Sequence, residues 1–463
     1  MGNNILAVAA LVTGLLLTGC SGGGGDSDKD KPGSGNPPPA GGGNPPPGNQ
    51  SGTSGTAFFL PTADEVRNTV NPRVETDRAG NVHTVFPAHA IGDAFYTYCG
   101  SDCDPDTMVS IKLPTEGTVV NAMLAIGPDN KPQILLSTYL RLYYATCETD
   151  CSQASGWSIS LILEHSGNLE VSGEAFAITP DGKLGFIMHS SRPLFGSSPT
   201  PATWYMTCET SCEDPAEWVQ SQIASDVWQE TSLHYTADGQ PRLATVLKID
   251  GVDTGAYLEC DGTCSTEDDW AGVTIVEAFS NRLTEDLYPA ISLDLTTADR
   301  PRVVMLGKAD GQRTLAYYEC DLNCADGNNW RGGELNRSDK IGAGLDLVLD
   351  SADRPRFVYT ADSNILLAYC DERCTDADAP WKLTKVEFGG DMKPDEIIPY
   401  PNCTVGAWFL RSPSLALGAD GLPRVGYRAL DISGGTSNPD PTKPSCAAGA
   451  DMTFARFMQM TGY

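Results

Sequence analysis

The chain is poor in positive charge. Its 463 residues include 31 Lys and Arg against 60 Asp and Glu, which gives a formal net charge of −29 at pH 7. A surface of this charge repels the phosphates of nucleic acids and of anionic lipids, because binding to both depends on basic residues. We therefore expect no nucleic-acid partner, and a membrane contact would need something other than a basic patch.

Several catalytic motifs are also missing. The sequence contains no G-x-S-x-G elbow, no phosphate-binding P-loop, no H-E-x-x-H and none of the S-x-D-x-G-x-x-W boxes of sialidase-like enzymes. It has only five histidines, of which His89, His165 and His189 fall in different parts of the chain. We predict no metal centre, no cofactor and no catalysis, with one alternative left open. Two of the many carboxylates could still form the acid–base pair of a glycosidase.

A single long apolar run, residues 5–19, stops at Cys20. It is short for a membrane span and typical of a signal-peptide core. Leu17-Thr18-Gly19-Cys20 resembles the bacterial lipobox. The resemblance implies that residues 1–19 are a signal peptide and that Cys20 carries acyl chains such as palmitate. Ser21 in the next position implies the outer membrane.

The segment after the lipobox is rich in Gly, Pro and Ser. We interpret residues 20–56 as the lipidated cysteine and a disordered linker, and residues 57–463 as the folded domain. The linker has a coil span of roughly 30 to 40 Å. The membrane would then be a partner through the lipid anchor alone.

The cysteines form a regular set. Of the 15 cysteines, twelve form six C-x-x-x-C pairs, and Cys403 and Cys446 remain besides Cys20. Zinc sites prefer C-x-x-C knuckles or added histidines, and redox centres usually use C-x-x-C. Residues four apart in a turn can reach disulfide geometry, so we predict six local disulfides, each contributing about 2 kcal/mol. The pairs are Cys99 with Cys103, Cys147 with Cys151, Cys208 with Cys212, Cys260 with Cys264, Cys320 with Cys324, and Cys370 with Cys374.

The cysteine pairs mark a repeat of about 50 residues. An aromatic run precedes each pair, a Trp follows five of them, and a tight turn between two apolar runs lies upstream. The turns fall near residues 80, 130, 182, 239, 300, 354 and 421. Each unit therefore predicts four strands, A to D, and seven such units predict an all-β, seven-bladed β-propeller.

The last unit lacks a fourth strand, and "TAFFL", residues 56–60, could supply it and close the ring. We expect the repeated Trp to pack between neighbouring blades; a sugar-binding platform is the alternative. The lipobox and the repeat together resemble bacterial secreted lipoproteins that carry a seven-bladed propeller. That resemblance implies a place in the cell envelope.

A propeller of this kind has two rims. The staple rim carries the short A–B turns and the C–D turns with the cysteine pairs. The loop rim carries the B–C loops and the blade-to-blade links, which vary in length, and function usually resides in such loops. Cys403 and Cys446 both fall on the loop rim, so we predict a bond between them worth about 4 kcal/mol.

The candidate ligand-binding residues are aromatic and cationic side chains assigned to the loop rim, since such side chains are favoured in recognition sites. They are Arg192, Trp228, Arg282, Tyr288, Tyr400, Trp408, Phe409 and Arg411.

Together these features predict a lipid-anchored, extracytoplasmic binding module for a protein or a glycan. A carbohydrate-active hydrolase on the same scaffold is one alternative. A scaffold in envelope assembly, by fold analogy alone, is another.

Overall fold

The computed structural model describes the following parts of the chain: residues 55–62, 68–164, 169–193, 202–225, 229–249, 252–276, 290–309, 312–392, 408–431 and 453–463. All of these residues belong to one compact unit that runs from Pro47 to Tyr463. No helix within these ranges has the length and apolar character needed to cross a membrane.

The described residues form seven sheets, each of four antiparallel strands. Blade 1 contains β2 (Arg73–Thr76), β3 (Val82–Ala88), β4 (Asp93–Cys99) and β5 (Val109–Leu113). Blade 2 contains β6 (Asn121–Ile126), β7 (Pro132–Ser137), β8 (Arg141–Cys147) and β9 (Trp157–Glu164). Blade 3 contains β10 (Leu169–Ile178), β11 (Leu184–Pro193), β12 (Ala202–Cys208) and β13 (Val219–Ala224). Blade 4 contains β14 (Gln229–Tyr235), β15 (Pro241–Ile249), β16 (Val252–Glu259) and β17 (Ala271–Val276).

The remaining three blades follow the same order. Blade 5 contains β18 (Ile291–Leu295), β19 (Pro301–Ala309), β20 (Gln312–Cys320) and β21 (Trp330–Arg337). Blade 6 contains β22 (Ile341–Leu349), β23 (Pro355–Ala361), β24 (Asn364–Tyr369) and β25 (Lys382–Phe388). Blade 7 contains β26 (Trp408–Leu417), β27 (Pro423–Asp431), β28 (Thr453–Met460) and β1 (Gly55–Phe59). Short 3₁₀ turns lie at Ala154–Gly156, Pro215–Glu217, Glu267–Asp269, Gly327–Asn329 and Gly389–Asp391.

The first strand of each blade contacts the first strand of the next, from β2 through β6, β10, β14, β18 and β22 to β26 and back to β2. These inner strands therefore surround an axis, and the predicted seven-bladed β-propeller is confirmed.

The N-terminal strand closes the ring as predicted. β1 pairs antiparallel with β28, with Gly55 opposite Met460 and Phe59 opposite Arg456. Phe58 lies 5.5 Å from Phe457, measured between ring centroids. Blade 7 is therefore built from both ends of the folded part, which leaves no unpaired edge on β28.

The seven A–B turns share one geometry. In each turn the N–H of one residue with a left-handed backbone donates to the carbonyl three residues before it, as Gly80 does to Asp77 and Asp299 does to Thr296. Such a residue matches the right-handed twist of a hairpin, and Gly, Asn and Asp tolerate the conformation best. The seven residues are Gly80, Asn130, Gly182, Gly239, Asp299, Asp353 and Gly421.

The hydrophobic core is divided among the blade interfaces. Its seven clusters each join two neighbouring blades, for example Val358 and Ile365 of blade 6 with Leu410 and Val425 of blade 7. Alternate residues of the inner strands enter these clusters, because successive side chains of a strand point to opposite sides. The residues between them pack on the opposite side of the same blade: Ala122 and Leu124 enter the cluster with blade 1, and Met123 and Ala125 pack against the cluster with blade 3.

Candidate functional site

The staple rim is held by the six predicted disulfides, all of which are formed, with Cα atoms 5.4 to 5.8 Å apart. Each pair lies between strands C and D of its own blade, so all six point to the same rim. The bonds connect residues four apart and therefore stabilise single turns, not contacts between distant parts of the chain. Cys99 is bonded to Cys103, Cys147 to Cys151, Cys208 to Cys212, Cys260 to Cys264, Cys320 to Cys324, and Cys370 to Cys374.

The repeated Trp packs between blades, as expected. The ring of Trp270 in blade 4 lies 5.5 Å from that of Tyr205 in blade 3, and Trp330 lies 5.2 Å from Tyr257 in the same relation. The indole N–H of Trp330 donates to the carbonyl of Cys324 over 2.8 Å. The Trp thus joins its own staple to the preceding blade.

The same indole bond recurs at most of the other staples. Nε1 of Trp157 donates to the carbonyl of Cys151 over 3.2 Å. Nε1 of Trp381 donates to the carbonyl of Cys374 over 3.0 Å, although this pair has one more residue between cysteine and Trp. The second cysteine of a pair is therefore both a disulfide partner and the acceptor that fixes the Trp ring.

Two staples lack the hydrogen bond from a Trp indole to the second cysteine. Cys264 has a left-handed backbone, with a φ of 53°, and Nε1 of Trp270 is enclosed without a partner among the described residues. Cys103 has no Trp after it, and its N–H donates instead to Oε1 of Gln459 over 2.8 Å. That bond joins the first staple to blade 7, across the interface between blades 7 and 1.

A buried arginine also supports the staple rim, and the sequence analysis did not predict it. Arg302 is 9 % exposed and donates to the carbonyl of Cys320 over 3.0 Å and to Asp321 over 2.9 Å. Arg356 in blade 6 makes the same two contacts, to Cys370 and Asp371. The signal was a Pro-Arg pair at the start of strand B, which recurs at Arg242, Arg302, Arg356 and Arg424.

A cleft of about 410 Å³ opens on the staple rim between blades 2 and 3. Turn residues such as Asp129, Glu148, Gly182 and Glu209 line it. At its edge Lys183 already pairs with Glu209 over 2.8 Å. The cleft therefore presents an acidic surface made of structural turns.

The axial channel carries a cluster of ionisable side chains, here called the channel cluster: Arg73, Glu75, Glu174, Glu230, Asp294 and Asp346. Arg73 of blade 1 interacts electrostatically with Asp346 of blade 6 and with Glu174 of blade 3. Glu75 interacts with Asp346 and with Asp294 of blade 5. Some of these blades, such as blades 1 and 3, are not neighbours in the ring. Their inner strands approach one another only around the axis. Each member of the cluster is half-buried.

Burial and mutual repulsion shift the pKa values of the cluster. Burial, followed by the charges of Asp346 and Asp294, raises the pKa of Glu75 to about 8. Burial and the charge of Glu174 raise the pKa of Glu230 to about 8. At neutral pH both carboxyl groups therefore hold their protons most of the time. Burial also raises the pKa values of Asp294 and Asp346.

Glu174 behaves in the opposite way. Burial alone would raise the pKa of Glu174, but the His189 imidazole and a hydrogen bond from the backbone N–H of Thr231 lower it below its ordinary value. Nε2 of His189 lies 3.5 Å from Oε2 of Glu174, and Nδ1 lies 3.3 Å from Oγ1 of Thr203. The channel thus holds an ionised carboxylate, Glu174, beside a protonated one, Glu230.

Glu230 has an unusual backbone. It lies at a β-bulge of β14 with a φ of 54°. A left-handed conformation is uncommon for a residue other than Gly, Asn or Asp and costs about 1 to 3 kcal/mol. Its Oε2 atom is enclosed and has no hydrogen-bond partner among the described residues.

Side chains on the inner strands also tie the blades together. The N–H of Leu293 donates to Oγ of Ser232, and the N–H of Leu347 donates to Oγ of Ser292, each across a blade interface. Leu415 donates to Asp346 over 2.9 Å in the same way. These bonds satisfy backbone groups at the inner edge of each sheet, which would otherwise be unpaired. Asp346 is therefore both a structural residue and a member of the channel cluster.

Half of the predicted ligand-binding residues lie outside the described ranges. Trp408 is 4 % exposed and packs 5.8 Å from Phe59, so it is a core residue and not an exposed aromatic. Phe409 is half-buried, and the Arg411 guanidinium lies 5.3 Å from its ring. Arg192 lies on β11. The candidates outside the described residues are Trp228, Arg282, Tyr288 and Tyr400, as are Cys20, Cys403 and Cys446.

His89 and His189 have different surroundings in the described part of the chain. His189 pairs with Glu174, and His89 lies near Arg428, where burial and that charge lower the pKa of His89. His165 is outside the described residues. Within the described part of the chain, no three His, Cys, Asp or Glu residues are placed to hold a metal ion.

Comparison with known proteins gives distant likenesses. No family model matches the chain, and no curated protein matches it. A protein of unknown function from Dyadobacter fermentans is 9 % identical, with a TM-score of 0.43 over 88 % of this chain and 98 % of that one. The polysaccharide lyase Uly1 is 12 % identical, with a TM-score of 0.47 over 84 % of this chain and 90 % of its own. An α-L-arabinanase from Penicillium chrysogenum, complexed with arabinobiose, is 10 % identical, with a TM-score of 0.43 over 72 % and 96 %. None of these values indicates a shared activity.

Proposed function

We propose that the protein is a lipid-anchored, extracytoplasmic binding module that presents its loop rim to a protein or a glycan and performs no covalent chemistry. The anchor at Cys20 is the means of membrane attachment in this proposal. The outer membrane of the cell envelope is its location.

The entry point of the chain into the fold carries the proposal. Gly55 lies opposite Met460, at the end of β28 that meets the staple rim, and Phe59 lies toward the loop rim. The linker predicted before Gly55 would therefore join the fold at the staple rim, on the side away from the loop rim.

The rigidity of the staple rim supports the same assignment. Disulfides, the repeated Trp and the buried arginines hold that rim as one structural layer, and little of it is variable. Binding residues usually lie on variable loops that a rigid scaffold positions. The loop rim is where this chain varies in length from blade to blade.

The test uses the full chain in cells, compared with the variant Cys20→Ser. We expect the parent chain to partition with membranes and to incorporate labelled palmitate, and the variant to do neither. Crosslinking on intact cells, followed by mass spectrometry, should recover partners attached to loop-rim segments. A parent chain that stays in the soluble fraction would refute the anchor; crosslinks confined to the staple rim would refute the binding face.

A carbohydrate-active hydrolase is a second candidate, because of one observation. Glu174 and Glu230 have pKa values shifted in opposite directions within one channel, which is how an acid and a base are distinguished in many active sites. The test is release of reducing sugar from a panel of polysaccharides. Glu230→Gln should abolish the release, and a panel without turnover by the parent chain excludes this candidate.

A further inference from the structure

The carboxyl groups of the channel cluster are spread along the axis. Counted back from its A–B turn, Glu230 lies nearest the loop rim, Glu174 and Asp346 lie in the middle, and Glu75 and Asp294 lie nearest the staple rim. The first and last of these levels are four residues apart, or roughly 13 Å along a strand that rises about 3.3 Å per residue. A ligand that meets all three levels must be elongated.

The inner strands also carry polar atoms that lack a partner among the described residues. Oε2 of Glu230 is enclosed and unpaired among the described residues, and so is Oγ of Ser412, which is 5 % exposed. Ser412 has a left-handed backbone, with a φ of 51°, at the same repeat position in blade 7 that Glu230 occupies in blade 4. Once Glu230 is ionised its oxygen can only accept a hydrogen bond, and an enclosed acceptor without a donor is costly to maintain.

The charge of the channel favours a cation. Five carboxyl groups come together there, beside the Arg73 guanidinium and the imidazoles of His189 and His234. The negative charge is greatest once Glu75 and Glu230 have ionised. A bound cation relieves the repulsion between carboxylates and supplies the missing donors through charge-assisted hydrogen bonds. The net charge of −29 also draws cations toward the protein over longer distances.

We propose that the axial channel binds a linear aliphatic ammonium chain, with its nitrogens distributed between the Glu230 level and the Glu75 level. The ligand is a free polyamine, because a lysine side chain carries a single nitrogen and would reach only one of these levels. This site is separate from the contacts of the loop rim, so the proposal does not depend on which ligand binds there.

The site has a built-in pH dependence. Glu230 faces Glu174 of β10 and the backbone N–H of Ala290, and Glu75 faces Arg73, Asp294 and Asp346. Both glutamates, with pKa values of about 8, ionise as the pH rises through that value, while an aliphatic ammonium stays charged to about pH 10. Affinity for the ammonium chain therefore increases from about pH 6.5 to about pH 8.5, and binding releases protons.

Isothermal titration calorimetry on the full chain, in low and in physiological salt, tests the proposal with three probes. Spermidine represents the free polyamine, an oligolysine peptide represents the side chain of a partner, and maltotriose represents an uncharged saccharide. We expect saturable binding of spermidine, at least about tenfold tighter at pH 8.5 than at pH 6.5. Tighter binding of the peptide than of spermidine would overturn the assignment to a polyamine.

Variants locate the site. At about pH 8.5, Glu230→Gln and Glu75→Gln should each weaken binding about tenfold. Glu372→Gln, the same change on an exposed staple turn, should leave it unaltered. Equal weakening by Glu372→Gln would mean nonspecific attraction and overturn the proposal, as would binding of maltotriose alone or of no probe. The pH profile of the unmodified chain decides the matter if a channel variant fails to fold.

Discussion

The seam between blades 6 and 7 offers the sharpest test of how the ring is held together. Glu387 of β25 accepts hydrogen bonds from Nε and Nη2 of Arg456 over 2.7 and 2.6 Å, and from Oη of Tyr427 over 2.6 Å. Arg456 is 2 % exposed and Glu387 is 9 % exposed. The Arg456 guanidinium also lies 4.7 Å from the ring of Phe59, on the strand that closes the ring.

We predict that Glu387→Gln lowers the free energy of unfolding by about 3 to 5 kcal/mol, because removing one partner of a buried ion pair leaves an uncompensated charge. Replacing both Glu387 and Arg456 with Met removes both charges and should restore most of the loss. Tyr427→Phe, added to that pair, removes the last polar group without a partner.

Equilibrium unfolding in urea, followed by tryptophan fluorescence under non-reducing conditions, measures the effect. The matched control is Asp391→Asn, which breaks an ion pair of similar length to Lys385, 2.7 Å, with Asp391 60 % exposed. An exposed pair contributes about 0 to 1 kcal/mol. If Glu387→Gln costs no more than Asp391→Asn, the buried network does not hold the seam and the reasoning is wrong.

Three further predictions concern other parts of the molecule. Replacing Cys320 and Cys324 with Ser should lower the free energy of unfolding by about 2 kcal/mol, since the bond closes a small loop. With reductant present, variant and parent should unfold at the same temperature, and a much larger loss without reductant would mean that the staple stabilises more than its own turn. Gly185→Ala should lower the free energy of unfolding by about 1 to 3 kcal/mol, because an added Cβ would clash with the hydroxyl oxygen of Tyr235. Adding Tyr235→Phe removes that oxygen and should restore the stability. Chemical denaturation of both variants measures this, and a loss that Tyr235→Phe does not restore would place the strain elsewhere. The pKa values of Glu75 and Glu230 are raised to about 8 in the folded state, so these groups ionise at lower pH in the unfolded chain. The free energy of unfolding therefore falls as the pH rises from about 5 to about 8 and is flat above. Melting temperatures measured across this range should lose that slope in a Glu75→Gln, Glu230→Gln double variant, and an unchanged slope would assign it to other groups.

The sequence was sufficient to predict the architecture because each repeat is marked by residues that are close together in the chain. A turn that needs a left-handed residue shows as Gly, Asn or Asp at Gly182, Asn130 or Asp353, and a staple shows as two cysteines four apart. Those signals depend on neighbours in the chain, so they can be read without coordinates. The closing strand was predictable for a related reason: the last unit was one strand short, and "TAFFL" was unassigned.

Only the tertiary structure could reveal the channel cluster. Arg73, Glu174 and Asp346 are about 100 or more residues apart in sequence, and no spacing rule connects them. They meet because the closed ring brings inner strands of non-neighbouring blades to one axis, where burial shifts their pKa values. The structure also places Trp408 in the core, although we predicted an exposed side chain: it is buried in the hydrophobic cluster between blades 6 and 7. Local chemistry determined the blades, and closure of the ring decided which of their side chains share a site.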